Sequence, residues 1–169
     1  SVRPAHPGAN AGELFVGRER ELATLGAALD EAMGGAGQVL VLAGEPGIGK
    51  TRTAQMLAHY ARSRDVHVLW GRCYEEPGAP PYWPWLQLIR ACAEAQDDAG
   101  LRASLGAGAG DLMELVPELR QRVTDLPPAA RPADPAQARF RLFDAINGFW
   151  RRASVETTHV LILDNLHWA

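Results

Sequence analysis

Lysine is all but absent from this chain: of its 17 basic residues sixteen are arginine and one, Lys50, is lysine. Cysteine is scarce as well. Cys73 and Cys92 have no metal-ligand spacing and no second pair, which argues against a zinc site and for two reduced, partly buried thiols. Long apolar runs are missing: the stretches over 39–43 and 160–163 are far too short to cross a bilayer, and residues 1–13 lack the apolar core of a secretion signal. There is no basic run or basic helix face and the net charge is −3, so direct DNA or RNA binding by this segment is not expected. A cytoplasmic setting without a membrane partner is the default expectation. What remains, 169 residues with 47% hydrophobic and 22% charged, fits one soluble globular domain with a real core.

The single lysine falls inside Gly44-Glu45-Pro46-Gly47-Ile48-Gly49-Lys50-Thr51, a complete G-x-x-x-x-G-K-[ST] phosphate-binding loop. A compact ammonium on a flexible stem can slide along the β- and γ-phosphates, whereas a planar guanidinium suits forked partners of fixed geometry. Gly44, Gly47 and Gly49 allow backbone conformations that a Cβ forbids, so that successive N–H groups can turn inward around an anion. The Thr51 hydroxyl would be offered to Mg2+, with Arg52 next to it on the cofactor side. With this composition a chance match has a probability on the order of one in a thousand. An ordinary glycine-rich turn between strand and helix is the competing explanation.

The order around the loop is the required one. The apolar run 38–43 predicts a buried parallel strand before it, and 51–61 predicts a helix after it whose N-terminal dipole adds to the anion site. Further along, helices alternate with strands, the pattern of an α/β domain with a mainly parallel sheet. Leu22, Leu25, Leu29 and Met33 recur at helical spacing over 17–33, and the glycines at 34–37 end that helix. A second strand is expected over 66–70. Pro84 opens a helix with Trp85, Leu88, Ile89 and Cys92 on one face, and the aromatic cluster Tyr82, Trp83 and Trp85 is assigned to core packing rather than ligand stacking. The Ala-, Gly- and Pro-rich stretch 97–135 predicts one short helix over 111–116. A helix over 135–154 then places Phe143, Ile146 and Trp150 on one stripe, and a third strand over 158–163 ends on Asp164. Carboxyl ends of parallel strands line ligand crevices, and an acid there can join a Mg2+ shell near Thr51, the second half of a nucleotide site. A turn-capping Asp is the alternative.

Four segments together resemble a family: Phe15-Val16-Gly17-Arg18-Glu19-Arg20-Glu21, the loop GEPGIGKT, Gly71-Arg72-Cys73-Tyr74 with Tyr82-Trp83-Pro84, and Leu163-Asp164-Asn165-Leu166-His167-Trp168-Ala169. They look like the AAA+/STAND-type ATPase module of large bacterial regulators of the LuxR family and of proteins beside some nucleotide cyclases and kinases. The resemblance implies a P-loop NTPase fold, three layers α/β/α with a mainly parallel sheet, ATP as nucleotide, and a signalling or transcription-regulation context. It places Val16, Gly17 and Arg18 against the adenine. Taken alone, Arg18 and Glu19 also fit a solvated helix start.

One position departs from the family. A second acid usually follows the Mg2+-binding Asp; here it is Asn165, whose amide can orient water but cannot accept its proton. Slowed hydrolysis with intact binding is the consequence, unless another residue such as Glu45 supplies the base. Both ends suggest a piece of something longer: a disordered segment over 1–13, then the N-terminal part of an incomplete AAA+ domain over 14–169. In the sheet order that the resemblance implies, the next strand inserts between the P-loop and Asp164 strands, so the isolated chain is expected to be poorly stable or aggregation-prone. The chain is thus open to three functions: a nucleotide switch that seldom turns over, an active ATPase completed by partners, or a remnant without turnover. Other domains of a longer regulator, and other copies of the chain, are the expected macromolecular partners.

Overall fold

The computed structural model describes residues 18–73, 80–126 and 134–166; the segment expected to be disordered over 1–13, and Val16 and Gly17, lie outside these. Helix α1 spans Glu19–Met33 and helix α2 spans Lys50–Arg62. Contacts gather into two units that divide within α2, Ser1–Leu57 and Ala58–Ala169.

In the first unit, α1 buries Leu25 and Leu29, the centre of the predicted apolar stripe. Its end is a Schellman motif. The Gly35 N–H donates to Ala32 O and the Ala36 N–H to Glu31 O, with Gly35 at φ +92°, so the orphan carbonyls of the last turn are satisfied. The predicted strand over 38–43 does not form. Val39 is 93% and Val41 83% exposed, and among the described residues no backbone hydrogen bond engages this run. Apolar β-branched residues favour a strand only where a neighbouring backbone supplies the ladder, and none of the described segments does.

The second unit holds a parallel pair, β1 at His67–Arg72 and β2 at His159–Asp164, in register from His67 opposite His159 to Arg72 opposite Asp164. Around it lie α3 (Trp83–Glu94), α4 (Asp98–Leu105), α5 (Ala109–Leu115) and α6 (Pro135–Ala153), with 3-10 turns at Gly106–Gly108 and Pro117–Gln121. Helices and a parallel sheet in this arrangement are compatible with an α/β P-loop NTPase fold. Leu88, Ile89, Leu101, Leu105, Leu112, Val116 and Phe149 are fully buried in one core cluster, against which Tyr82, Trp83 and Trp85 pack.

The stretch from 97 to 126 is far more ordered than expected. Asp97 caps α4 by accepting from the Gly100 N–H at 2.7 Å, and Leu101, Leu105, Leu112, Val116, Leu119 and Val123 carry the stretch into the core. The short helix expected over 111–116 is α5; alanine and glycine between these anchors let the further short helices pack closely, which composition alone disguised as loop. In α6 the buried stripe is Ala145, Ile146, Phe149 and Ala153; Phe143, placed in the core by the sequence, is 50% exposed. The inward face follows 145, 146, 149 and 153 at helical spacing, so Phe149 takes the core position and Phe143 falls to its edge, against Tyr82.

Candidate functional site

The phosphate-binding loop lies wholly in the first unit. Gly44, Gly47 and Gly49 stand at φ +153°, +81° and +94°, conformations that side chains with a Cβ rarely adopt. Among the described residues, the N–H groups of Gly47, Gly49 and Lys50 donate to no backbone carbonyl, so the loop carries donors available to an anion at the N-terminus of α2. The Lys50 ammonium folds back on the loop and donates to the carbonyls of Gly44 and Glu45, both at 2.9 Å. Glu45, Pro46 and Ile48 are exposed, whereas Thr51 and Arg52 are half-buried in the first turn of α2. The next residue, the buried Thr53, donates its hydroxyl back to Gly49 O at 3.1 Å, fixing the junction of loop and helix. Arg18, just before α1, donates from its guanidinium to Ile48 O and so joins the start of α1 to the loop. The structure thus brings Arg18, the loop and Lys50 together.

Asp164 and Asn165 belong to the second unit. Asp164 ends β2 half-buried; its carbonyl accepts from the Cys73 N–H at 3.1 Å and its Oδ1 from the Asn165 N–H at 3.0 Å. Asn165 stands at φ +61°, in the left-handed region that Asn tolerates through local hydrogen bonding. Two neighbours were missed as site residues. Cys73 is buried, and its thiol pKa is raised by that burial and then by the charge of Asp164. Gln87 of α3 accepts from the Arg72 N–H at 3.2 Å and donates to Arg72 O at 2.8 Å. An amide set between the buried Leu86 and Leu88 was the available signal.

A third polar group lies at the opposite end of the strands. His159 meets His67 edge to face at 5.5 Å and Trp150 at 5.9 Å, with its Nε2 3.8 Å from the buried Cys92 Sγ. Burial, and then the nearby His67, lower the His159 pKa, while burial pushes the Cys92 thiol up to about 11. Both groups are therefore neutral at pH 7 and read as packing.

Among the described residues no three His, Cys, Asp or Glu side chains converge as metal ligands. The Thr51 hydroxyl and the Asp164 carboxylate are hard oxygen donors of the kind that Mg2+ accepts beside several waters and substrate phosphates. A family model of the AAA ATPase domain matches residues 14–169. No curated protein and no solved structure matches the chain.

Proposed function

Because the chain belongs to the AAA ATPase domain family, we propose that it binds ATP with Mg2+ and serves as a nucleotide switch in a bacterial signalling or transcriptional regulator, its hydrolysis slow or dependent on partners. The observation that carries this is the loop: three glycines at positive φ, N–H donors that no described backbone carbonyl takes and a lone lysine gathered at a helix N-terminus. Lys50 would exchange the carbonyls of Gly44 and Glu45 for phosphate oxygens, and the N–H groups of Gly47, Gly49 and Lys50 would take the remaining phosphate lone pairs. Arg18, with Val16 and Gly17, would border the base. The Thr51 hydroxyl and the Asp164 carboxylate would hold Mg2+, which neutralises charge on the phosphates when bound.

Asn165 supports the switch over a fast enzyme. Its amide can orient a water molecule through hydrogen bonds but cannot take the proton, so occupancy rather than turnover would set the state of the molecule. The wider assignments, a three-layer α/β/α sandwich of the STAND type in a LuxR-family context, rest on the likeness of the motifs. The test is equilibrium binding of ATP to the whole chain, in Mg2+ and in EDTA, alongside single-turnover hydrolysis. Saturable binding with turnover far slower than release is expected; absence of saturable binding overturns the nucleotide function.

A further inference from the structure

We infer that Gln87 is a positioning residue for Asp164, acting through the last peptide of β1; this rests on the ATP and Mg2+ function proposed above. Arg72 is the final residue of β1, and both of its backbone groups on the outer edge are taken by one side chain. A primary amide carries a donor and an acceptor as a peptide group does, so Gln87 supplies the pairing that another strand would otherwise supply. The helix comes this close because residue 71 is glycine: a Cβ there would lie 2.5 Å from Pro84 O, in the first turn of α3.

The bonds continue across the strand through a single planar unit. The carbonyl of the Arg72–Cys73 peptide accepts from Gln87 Nε2 at 2.8 Å, and the N–H of the same peptide donates to Asp164 O at 3.1 Å. Hydrogen bonds in such a chain polarise one another, and the peptide plane cannot turn at one end without turning at the other. Gln87 thereby fixes the backbone of Asp164 from across β1, about two strand spacings away, roughly 9–10 Å. Asp164 in turn has its Oδ1 held by the Asn165 N–H at 3.0 Å. The carboxylate assigned to Mg2+ is aimed by an amide that would touch neither metal nor nucleotide.

The test separates aiming from mere support. Gln87→Met keeps the length and removes both bonds; Gln87→Glu keeps the acceptor for the Arg72 N–H and removes the donor to its carbonyl. ATP affinity is measured by equilibrium titration of the full chain in Mg2+ and in EDTA. In both variants the gain in affinity that Mg2+ brings is expected to fall roughly five- to tenfold, the scale of one well-placed hydrogen bond, with EDTA affinity within about twofold of wild type. An unchanged Mg2+ gain, or equal losses in the two media, overturns the positioning role. If Gln87→Met does not fold, Gln87→Glu decides on the same criterion. Wild-type chain that binds ATP without any Mg2+ gain also overturns the inference, whereas wild-type chain that binds no ATP at all refutes the nucleotide function beneath it.

Discussion

Replacing Lys50 by arginine keeps its charge and removes its compactness, and the loop geometry sets what that should cost. The ammonium donates to Gly44 O and Glu45 O at 2.9 Å, on exposed loop residues. Each of these bonds contributes about 1 kcal/mol at most, since water competes for both partners. Bonds from the same ammonium to phosphate oxygens are charge-assisted and contribute about 1.5–3 kcal/mol each. The exchange favours the complex by roughly 2–3 kcal/mol, so Lys50→Ala is expected to weaken ATP binding about 30- to 150-fold. Lys50→Arg restores the charge but presents a wide planar fork where a small group must move between loop carbonyls and phosphates, and affinity should stay at least about tenfold below wild type. Equilibrium titration with ATP in Mg2+ gives the affinities, and thermal unfolding verifies that each variant is folded. Arginine within about twofold of wild type would refute the claim that this position requires lysine, and alanine equal to wild type would refute the phosphate assignment.

Three further outcomes follow from the second unit. Phe149→Ala empties a fully buried site and should destabilise by about 3–5 kcal/mol, whereas Phe143→Ala, half exposed, should cost under about 1 kcal/mol; urea denaturation of both distinguishes the observed stripe of α6 from the predicted one. Gly71→Ala sets a Cβ 2.5 Å from Pro84 O and should cost roughly 1–3 kcal/mol by overpacking, seen as a lower Tm. The folded pKa of His159 lies below its usual 6.5, chiefly through burial and then through His67, so the unfolded chain binds the proton more readily. Its contribution to stability is full above about pH 6.5 and is lost as the pH falls through the folded pKa. Urea midpoints between pH 5 and 8 should therefore decline toward acid, and His159→Gln should flatten that decline; an unchanged slope would refute it.

What the sequence displayed and what it hid divide along the range of the forces involved. The loop at 44–51, the Schellman end of α1 and the opening of α3 at Trp83 and Pro84 are all local: each is specified by residues within a few positions of one another. The failed strand over 38–43 is not, because an apolar run becomes a strand only when another backbone pairs with it. Of the helices between 98 and 121 only α5 was expected, over 111–116; α4 and the two 3-10 turns were hidden for a related reason. Short Ala- and Gly-rich segments have little helical stability alone and gain it from Leu101, Leu105, Leu112 and Leu119 meeting α6 and each other. The placement of Gln87 between two leucines was too weak a sign of a site residue, because its role depends on the approach of α3 to β1, which glycine at 71 permits and no motif records.

Asn165 carries two demands that the sequence could not separate. Family likeness makes it the missing second acid; the structure adds that its backbone stands at φ +61°. If the conformation alone selected the residue, the amide would say nothing about catalysis. Yet Asp tolerates the left-handed region nearly as well as Asn, both far better than residues without a short polar side chain. The backbone therefore explains why residue 165 is Asn or Asp and not why it is Asn, which leaves the choice of amide to chemistry. Asn165→Asp should then change stability by less than about 1 kcal/mol, the repulsion of the exposed new charge beside Asp164 included, while Asn165→Ala should lose about 1–2 kcal/mol from the left-handed backbone. At saturating ATP, turnover should rise at least about tenfold in Asn165→Asp, a modest share of the roughly hundredfold or more that a general base contributes, and should not rise in Asn165→Ala. A folded Asn165→Asp chain that binds ATP and turns over no faster would remove residue 165 from the water-activating position, and slow hydrolysis would then need another cause.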